Sequence, residues 1–377
     1  MKKVAIVYQV IFHYRIPFYN KIYSDPELKS IVYYGLDNPY NKNKSFKTKY
    51  DFSNKKLFTI FIPFGKEHNR FKKVMPFFPS LFFNLVFYNP SIILCEGSSA
   101  LPNSLISYFY AKLFNKKFIW WSLGSIEKNT KNNWLRNIID FICKYLEKNS
   151  DAIFTYSNQG KNYFIQKRGV NPDKIFVGIN VIDTAERLKE INVMKSHIIK
   201  DENIFQIIFV GSIIKEKRLE ILIDAFNILY NKYNNKVRLV IVGDGIYLDN
   251  IKNYASTKNS KNIFFVGKII DGISKYFLQS DVFVLPGLGG LAISDAMIHG
   301  LPVIAGKADG TEIDLVTNET GFLHEELNVD ILVKDLELLF LNPELKRYLS
   351  ENAFNLLKNN YSFENYYKIF KDMIKTL

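Results

Sequence analysis

The residues best suited to chemistry lie in one glycine-rich segment, Leu285 to Gly306, with the sequence LPGLGGLAISDAMIHGLPVIAG. A strand is predicted to end at Pro286 and a helix to begin at Leu291. Three glycines stand between them: Gly287, Gly289 and Gly290. Glycines let a backbone approach a ligand closely, and the N–H groups of a first helical turn attract anions. The pattern predicts a phosphate site, but a ligand-free strand-to-helix turn stays open because glycines alone are weak evidence.

Polar residues in the same half of the chain could complete such a site. Asp295 lies one turn further along the predicted helix, where its carboxylate suits a hydroxyl group, such as that of a ribose, better than a phosphate. Three cations, Lys215, Lys217 and Arg218, stand at another predicted helix start, just after Gly211 and Ser212. Positive charge is unfavourable there for the helix dipole. An anionic ligand explains the run better than a solvated surface, which is the alternative.

Other candidates follow strands elsewhere in the chain. Gly267 and Lys268 end a further strand, where a ligand contact and a plain turn remain equally open. Arg15 follows the first strand, and its guanidinium could bind two phosphate oxygens at once. His13 is an acid–base candidate, although a hydrogen-bonding loop residue is slightly favoured. Glu96 could accept a proton from an acceptor hydroxyl or cap the next helix.

The predicted elements form two successive α/β halves. Short apolar strands at 4–8, 31–34, 58–62, 91–95, 118–121, 152–156 and 175–183 alternate with helices such as 100–115 and 134–149. A second series of strands runs through 205–211, 237–245, 262–267, 281–287 and 302–306. Buried strands alternating with helices favour doubly wound parallel sheets, whose ligands lie beyond the carboxyl ends of the strands. We predict domains at 1–184 and 204–361, a connector at 185–203, and a terminal amphipathic helix, 362–377, packed back on the first domain.

The second half resembles glycosyltransferase family 4, whose members are retaining enzymes of the GT-B fold. The resemblance is strong over 205–325 and loose over 1–183. It is carried by Asp295-Ala296-Met297, by Gly300-Leu301-Pro302-Val303-Ile304, by Thr311-Glu312-Ile313 and by FVGSIIKEKRLEILIDAF at 209–226. It implies two Rossmann-like domains facing a central cleft, a nucleotide-sugar donor, more commonly UDP-linked than GDP-linked, and no required metal. Carried over residue by residue, it places the donor on Gly211, Ser212, Lys217, Gly267, Lys268, Gly287, Leu288, Gly289, Gly290, Leu291 and Asp295.

The sequence departs from the family pattern at several of these positions. The first glutamate of the family's acidic pair, which helps to hold the donor sugar, falls on Gly287, and the second is shortened to Asp295. The phosphate-binding arginine falls on Ser212, whereas Lys217 occupies the position of the phosphate-binding lysine. The histidine that many members carry after the strand FIWW is absent from WSLG (121–124). These changes leave a degenerate, non-catalytic sugar-nucleotide binder as an alternative.

Composition narrows the surroundings in which the protein works. Residues 1–190 hold 29 Lys and Arg against 14 Asp and Glu, so the net charge of +13 is concentrated in the first half. The stretch 70–88 puts cations before a dense aromatic run and is either a buried helix or a peripheral contact with an anionic membrane. No Asp-x-Asp or metal-ligand spacing occurs, and the basic residues do not follow a nucleic-acid recognition pattern. Buried thiols at Cys95 and Cys143 and the missing signal peptide favour the cytoplasm, at the inner membrane face.

Together these features and the resemblance predict a transferase that moves a hexose or N-acetylhexosamine from a nucleotide sugar to a lipid-linked or growing saccharide in bacterial surface polysaccharide synthesis. The resemblance alone implies that the anomeric configuration is retained. Lys217, Glu96 and His13 are the catalytic candidates, and Arg15 is the candidate for substrate binding. Another GT-B enzyme, an epimerase or a phosphorylase, is the main alternative. A nucleic-acid-binding protein is the least favoured.

Overall fold

The computed structural model describes residues 1–36, 49–66, 72–124, 134–258 and 261–377. These residues form two compact units. The first comprises Met1–Gly178 and Tyr367–Leu377, and the second comprises Ile179–Tyr366. Each unit is an α/β structure built on one parallel sheet, which confirms the predicted doubly wound fold class.

The sheet of the first unit contains seven strands among the described residues, in the order β3-β2-β1-β6-β7-β8-β9, and all of its pairings are parallel. Aliphatic and aromatic side chains fill its strands because helices cover a parallel sheet on both faces. The strands of this unit are β1 (Lys2–Val7), β2 (Leu28–Tyr34), β3 (Asn54–Lys56), β4 (Ile60–Lys66), β5 (Lys72–Phe77), β6 (Ile92–Glu96), β7 (Lys117–Trp121), β8 (Ala152–Thr155) and β9 (Ile175–Val177). Its first helices are α1 (Ile16–Tyr23), α2 (Leu81–Tyr88), α3 (Leu101–Leu113), α4 (Trp134–Asn149) and α5 (Asn158–Gln166).

The second unit has a six-stranded parallel sheet in the order β12-β11-β10-β13-β14-β15. Its strands are β10 (Phe205–Val210), β11 (Val237–Val242), β12 (Ile263–Gly267), β13 (Val282–Leu285), β14 (Val303–Gly306) and β15 (Gly321–His324). Its helices are α6 (Thr184–Met194), α7 (Leu219–Tyr233), α8 (Leu248–Ser256), α9 (Ser274–Leu278), α10 (Ala292–Ile298), α11 (Thr311–Leu315), α12 (Val329–Leu341) and α13 (Pro343–Asn359).

Three segments differ from the sequence-based prediction. The apolar run 58–62 does not join the parallel sheet, because β4 pairs antiparallel with β5 and leaves Ile60 and Ile62 partly exposed. The predicted strand 175–183 is limited to the three residues of β9. The expected connector 185–203 begins as helix α6, which Asp183 caps by accepting hydrogen bonds from the amides of Ala185 and Glu186.

The last helix, α14 (Phe363–Thr376), brings the end of the chain back to the first unit. Phe370 is fully buried, and its ring lies 5.0 Å from that of Phe18 and 5.8 Å from that of Phe154, measured between centroids. The Tyr367 hydroxyl donates a hydrogen bond of 2.7 Å to Asp25, and the Lys371 ammonium lies 2.9 Å from the same carboxylate. This helix therefore completes the core of a unit whose other residues end at Gly178, 189 positions before Tyr367.

We predict that Phe370→Ala lowers the free energy of unfolding of the first unit by about 3–5 kcal/mol, because it leaves a cavity between two aromatic rings. Chemical denaturation followed by tryptophan fluorescence measures this change, since Trp121 packs 5.5 Å from Phe18. Lys368→Ala alters an exposed position on the same helix and serves as the control. Equal losses in the two variants would contradict the packing role of Phe370.

Candidate functional site

The glycine-rich segment and the cationic run meet at one point of the second sheet. The strand order reverses direction between β10 and β13, which are hydrogen-bonded neighbours. This reversal is the topological switch point of the sheet. In open parallel sheets it opens a crevice beyond the carboxyl ends of the strands, because the connections on either side leave in opposite directions. The loop after β10 carries residues 211–218, and the loop after β13 carries residues 286–291. Topology thus brings together two groups of residues that are about 70 positions apart.

Lys217 joins these two loops. Its side chain is only 6% exposed, and its ammonium donates hydrogen bonds to the Leu288 carbonyl at 2.5 Å and the Gly289 carbonyl at 2.9 Å. Burial lowers the pKa of Lys217 to about 8. Lys215 and Arg218, its neighbours in the cationic run, are exposed. The structure therefore distinguishes one buried cation from two solvated ones, which the sequence alone did not separate.

Close contacts leave little space for a side chain at Gly287 and Gly289, whereas Gly290 has only an ordinary van der Waals neighbour. A Cβ atom at Gly287 would lie 2.2 Å from the Glu216 carbonyl oxygen, so the backbone after β10 leaves no room for a side chain there. A Cβ atom at Gly290 would lie 3.7 Å from the Lys217 ammonium nitrogen. The acidic residue that the family carries at the position of Gly287 is consequently excluded by this backbone. Gly289 and Gly290 keep the turn open beside the buried cation.

Asp309 lies beside Lys217 and the glycine turn, although the sequence analysis did not single it out. We call Lys217, Gly287, Gly289, Gly290 and Asp309 the Lys217 cluster. The Asp309 carboxylate lies about 3 Å from the point where a Cβ of Gly289 would stand. Burial, the Glu312 charge and a Glu312 hydrogen bond raise the pKa of Asp309 to about 6, while Lys217 acts in the opposite direction. Glu312 is fully buried and accepts hydrogen bonds from the amides of Ala308, Asp309 and Gly310. The sequence signal was the loop ADGTE, in which Glu312 shapes the backbone and Asp309 faces the turn.

Asp295 is engaged by a residue from the segment expected to be a connector. The Arg187 Nε atom lies 2.9 Å from Oδ1 of Asp295, and Nη2 donates to Oδ2 at 3.1 Å. Burial raises the pKa of Asp295 to about 6, and the guanidinium opposes that rise. Burial also lowers the pKa of His299, the C-cap residue of α10, to about 4. Asp295 therefore ties α10 to α6, and its expected ribose contact stays a prediction.

The remaining candidates of the second unit lie along the same edge of the sheet. Gly211 immediately follows β10, its amide donates to the Val242 carbonyl at 3.0 Å, and Ser212 beside it is exposed. Gly267 ends β12, where its φ of +84° lies in the left-handed region that glycine tolerates. Lys268 follows it and is exposed. Gly267 and Lys268 stand two strands away from β10, so they border the site without joining the Lys217 cluster.

In the first unit a reversal of strand order also brings two loops together, but different side chains link them. Its strand order reverses between β1 and β6, and Glu96 ends β6 beside the loop that follows β1. The Glu96 carboxylate accepts hydrogen bonds from the Gln9 amide at 3.0 Å and from the Gln9 side chain at 3.1 Å. Burial raises the pKa of Glu96. The carboxylate therefore links the two loops at the switch point, and the N-cap residue of α3 is Ala100.

Arg15 and His13 share a short 3-10 turn after β1 but differ in exposure. Arg15 is 4% exposed, and its guanidinium carbon lies 4.6 Å from the Trp121 ring centroid and 4.7 Å from that of Tyr156. Such cation–π contacts anchor the loop from within. His13 is exposed, with its ring edge-on to Tyr14. The predicted phosphate contact of Arg15 and the acid–base role of His13 stay predictions.

Residues 190–356, which contain the Lys217 cluster, match the family model described as glycosyl transferases group 1. This segment holds the strands on both sides of the switch point and the entire glycine-rich turn. The chain is a glycosyltransferase, and its residues 190–356 are of the group 1, family 4 type. The resemblance inferred from its motifs is confirmed, and so is its assignment as an enzyme.

Relatives and solved structures agree with this assignment. An uncharacterized glycosyltransferase of Methanocaldococcus jannaschii is 26% identical over 79% of this chain and 78% of its own length. The UDP-Gal:alpha-D-GlcNAc-diphosphoundecaprenol alpha-1,3-galactosyltransferase of Escherichia coli is 29% identical over 66% of each chain. The crystal structure of Anabaena HepE in complex with UDP superposes over 100% of both chains, with a TM-score of 0.74 at 14% identity. The last likeness identifies the GT-B fold.

We predict that Arg187→Ala destabilises the second unit by about 3 kcal/mol at pH 8, because it leaves the Asp295 carboxylate buried without its partner. The loss should shrink at pH 5. The pKa of Asp295 is already raised to about 6 in the folded protein, so below that pH the carboxyl is protonated and no charge remains buried. Urea denaturation at the two pH values measures the difference. Lys189→Ala, at an exposed position of the same helix, is the control, and a pH-independent loss would contradict the ion-pair role.

Proposed function

We propose that this glycosyltransferase moves a hexose or N-acetylhexosamine from a UDP-sugar to a saccharide carried on a polyprenyl diphosphate, with retention of the anomeric configuration. The observation that carries the proposal is the buried ammonium of Lys217 beneath an open glycine turn at the switch point of the sheet. A buried cation facing a backbone turn suits a ligand that carries negative charge at that place. The diphosphate of a nucleotide sugar is such a ligand.

The reaction breaks the bond between the anomeric carbon and an oxygen of the β-phosphate, and it forms a bond from that carbon to the acceptor oxygen. UDP leaves with the electron pair, and the acceptor hydroxyl loses its proton. The catalytic demand is therefore to stabilise negative charge developing on the leaving diphosphate. We assign this work to Lys217 and to the backbone of Gly289, Gly290 and Leu291. Retention places the attack on the face from which UDP departs, so a leaving-phosphate oxygen can take the proton.

The choice of UDP and of a lipid-linked acceptor is supported by proteins of similar fold and sequence. The Anabaena neighbour was crystallised with UDP, and the name of the Escherichia coli relative specifies both UDP-galactose and a diphosphoundecaprenol-linked acceptor. An acceptor of this kind is held in a membrane, so the proposal places the enzyme in the cytoplasm at the inner face of the membrane. No helix among the described residues is long and apolar enough to span a bilayer.

The first unit supplies the acceptor side in this proposal. Glu96 lies at its switch point, and the raised pKa makes its carboxylate a stronger base than an exposed glutamate. We propose that Glu96 accepts a hydrogen bond from the acceptor hydroxyl and that His13 borders the acceptor. Arg15, enclosed by aromatic rings, would hold this loop in place and meet an acceptor phosphate only at the loop surface.

We predict that Lys217→Met, which removes the charge while keeping the length of the side chain, lowers the transfer rate by about 10²- to 10³-fold, the usual cost of losing one such group. Incubation with radiolabelled nucleotide sugars and a membrane lipid extract measures transfer, and a thermal melt verifies that the variant is folded. Lys217→Arg should recover part of the activity. Lys215→Ala, two residues away and exposed, should retain it. Full activity of Lys217→Met would refute the role assigned to this lysine.

We also predict that UDP binding weakens above about pH 8, where Lys217 loses its proton. The dissociation constant should increase between pH 7 and pH 9, approaching tenfold per pH unit once the neutral amine predominates. Isothermal titration calorimetry measures it across this interval. In Lys217→Arg the dependence should disappear, because arginine stays charged throughout. A wild-type dissociation constant that is constant from pH 7 to pH 9 would show that the ammonium does not face the diphosphate.

A further inference from the structure

Three neighbouring helices of the first unit expose large apolar side chains on their outer surface. On α2, Leu81 and Leu85 are buried against the sheet, whereas Phe83 is 64% exposed and Phe87 is 88% exposed. A helix that covers a sheet normally presents polar residues to solvent. The solvent-facing side of α2 is instead aromatic, and contact with water alone does not explain aromatic residues at these positions.

Helices α3 and α4 also expose apolar side chains where polar ones are expected. On α3, Leu105, Phe109 and Leu113 follow each other at intervals of four residues and are all exposed. Intervals of three and four residues place side chains on one stripe of a helix. The corresponding stripe of α4 is exposed along its whole length and consists of Trp134, Ile138, Phe141 and Tyr145. The opposite side of α4 is buried through Cys143 and Leu146, so this helix is apolar on two sides.

The three exposed stripes are connected, and we call them together the three-helix face. Helix α3 packs between α2 and α4. The rings of Phe82 and Phe109 lie 6.1 Å apart and link α2 to α3, while those of Tyr108 and Tyr145 lie 6.0 Å apart and link α3 to α4. Monomeric soluble proteins rarely expose a continuous apolar area of this kind unless it binds something.

Charge on this face indicates what it binds. The first unit carries 30 Lys and Arg against 12 Asp and Glu, a net charge of +18, whereas the second carries 20 against 25. On α4, Lys144 and Lys148 are exposed on the flank of the aromatic stripe. The two acids of that helix, Asp140 and Glu147, lie 2.6 Å and 2.9 Å from the Arg168 guanidinium. The surface is therefore cationic and aromatic at once.

We propose that the three-helix face binds the surface of an anionic lipid bilayer. Aromatic rings enter the boundary between headgroups and acyl chains, while lysine and arginine stems extend along the apolar surface and keep their charges among anionic headgroups. The proposal rests on the proposed function, because a lipid-linked acceptor is reached from the membrane surface. We assign the membrane contact to the outer stripes of α2, α3 and α4. Of the stretch 70–88, only the final part, which forms α2, takes part in this contact.

The test is sedimentation of the full chain with vesicles of phosphatidylcholine, either alone or mixed with about 30% phosphatidylglycerol as the anionic lipid. We expect binding to the anionic vesicles to be at least about tenfold stronger and to weaken with salt, since exposed charges are screened. Phe87→Ser combined with Phe141→Ser should reduce binding by about tenfold or more. Phe264→Ser, at a half-exposed position of the second unit, should leave it unchanged. Lys144→Glu combined with Lys148→Glu should abolish the preference for anionic lipid.

Two results would overturn the proposal. One is a wild-type chain that stays in the supernatant with anionic vesicles at low salt. The other is self-association through this face: sedimentation velocity would then show a dimer that the Phe87 and Phe141 substitutions dissociate, with no vesicle binding. UDP affinity, measured in the same variants, should equal that of the wild type, since neither phenylalanine belongs to the second unit. Vesicle binding without any UDP affinity would refute the proposed function while leaving the membrane contact in place.

Discussion

The arrangement of the second unit depends on one buried cation. The ammonium of Lys217 is removed from water, which is costly for a charge, and the Leu288 and Gly289 carbonyls replace only part of its hydration. Its lowered pKa records the remaining cost. The Asp309 carboxylate supplies part of the countercharge, and in the proposed function the diphosphate of the donor supplies the rest. The left-handed backbone of Arg218, at φ +54°, is a further strained feature beside it, and strain of this kind clusters at functional sites.

Around this cation, each neighbouring residue meets a geometric requirement. Gly287 accommodates the backbone that carries Lys217, and Gly289 accommodates the Asp309 carboxylate. The position of Asp309 is fixed by Glu312, whose carboxylate accepts hydrogen bonds from three backbone amides of the same loop. On the other side of the turn, Arg187 fixes α10 through Asp295. The helix that follows the glycines is thus held by an ion pair to α6, and the glycines themselves are free of side chains that would close the turn.

Both units use the reversal of strand order to bring two loops together, yet they use it for opposite charges. In the second unit a cation donates to carbonyl groups, and in the first a carboxylate accepts from Gln9. The same contrast holds for their surfaces, because the first unit is strongly basic and the second is slightly acidic. A basic unit with exposed aromatic helices suits an acceptor held at an anionic membrane. In the proposed function, the acidic second unit needs a local cation where it binds the donor diphosphate, and we assign that part to Lys217.

The sequence by itself determined the fold class, and it predicted the glycine-rich segment as the centre of the candidate site. Alternating apolar strands and helices, the glycine spacing at 287–290 and the motifs that resemble family 4 are local signals, and the family match over 190–356 bears out that resemblance. Only the tertiary structure decided which cation of the run is buried, that Asp309 lies beside Gly289, and that Arg187 binds Asp295. It also placed 58–62 in an antiparallel hairpin and left the aromatic stripes of α2, α3 and α4 exposed. These features arise from contacts between residues distant along the chain, and periodicity identifies an apolar stripe without showing whether another element covers it.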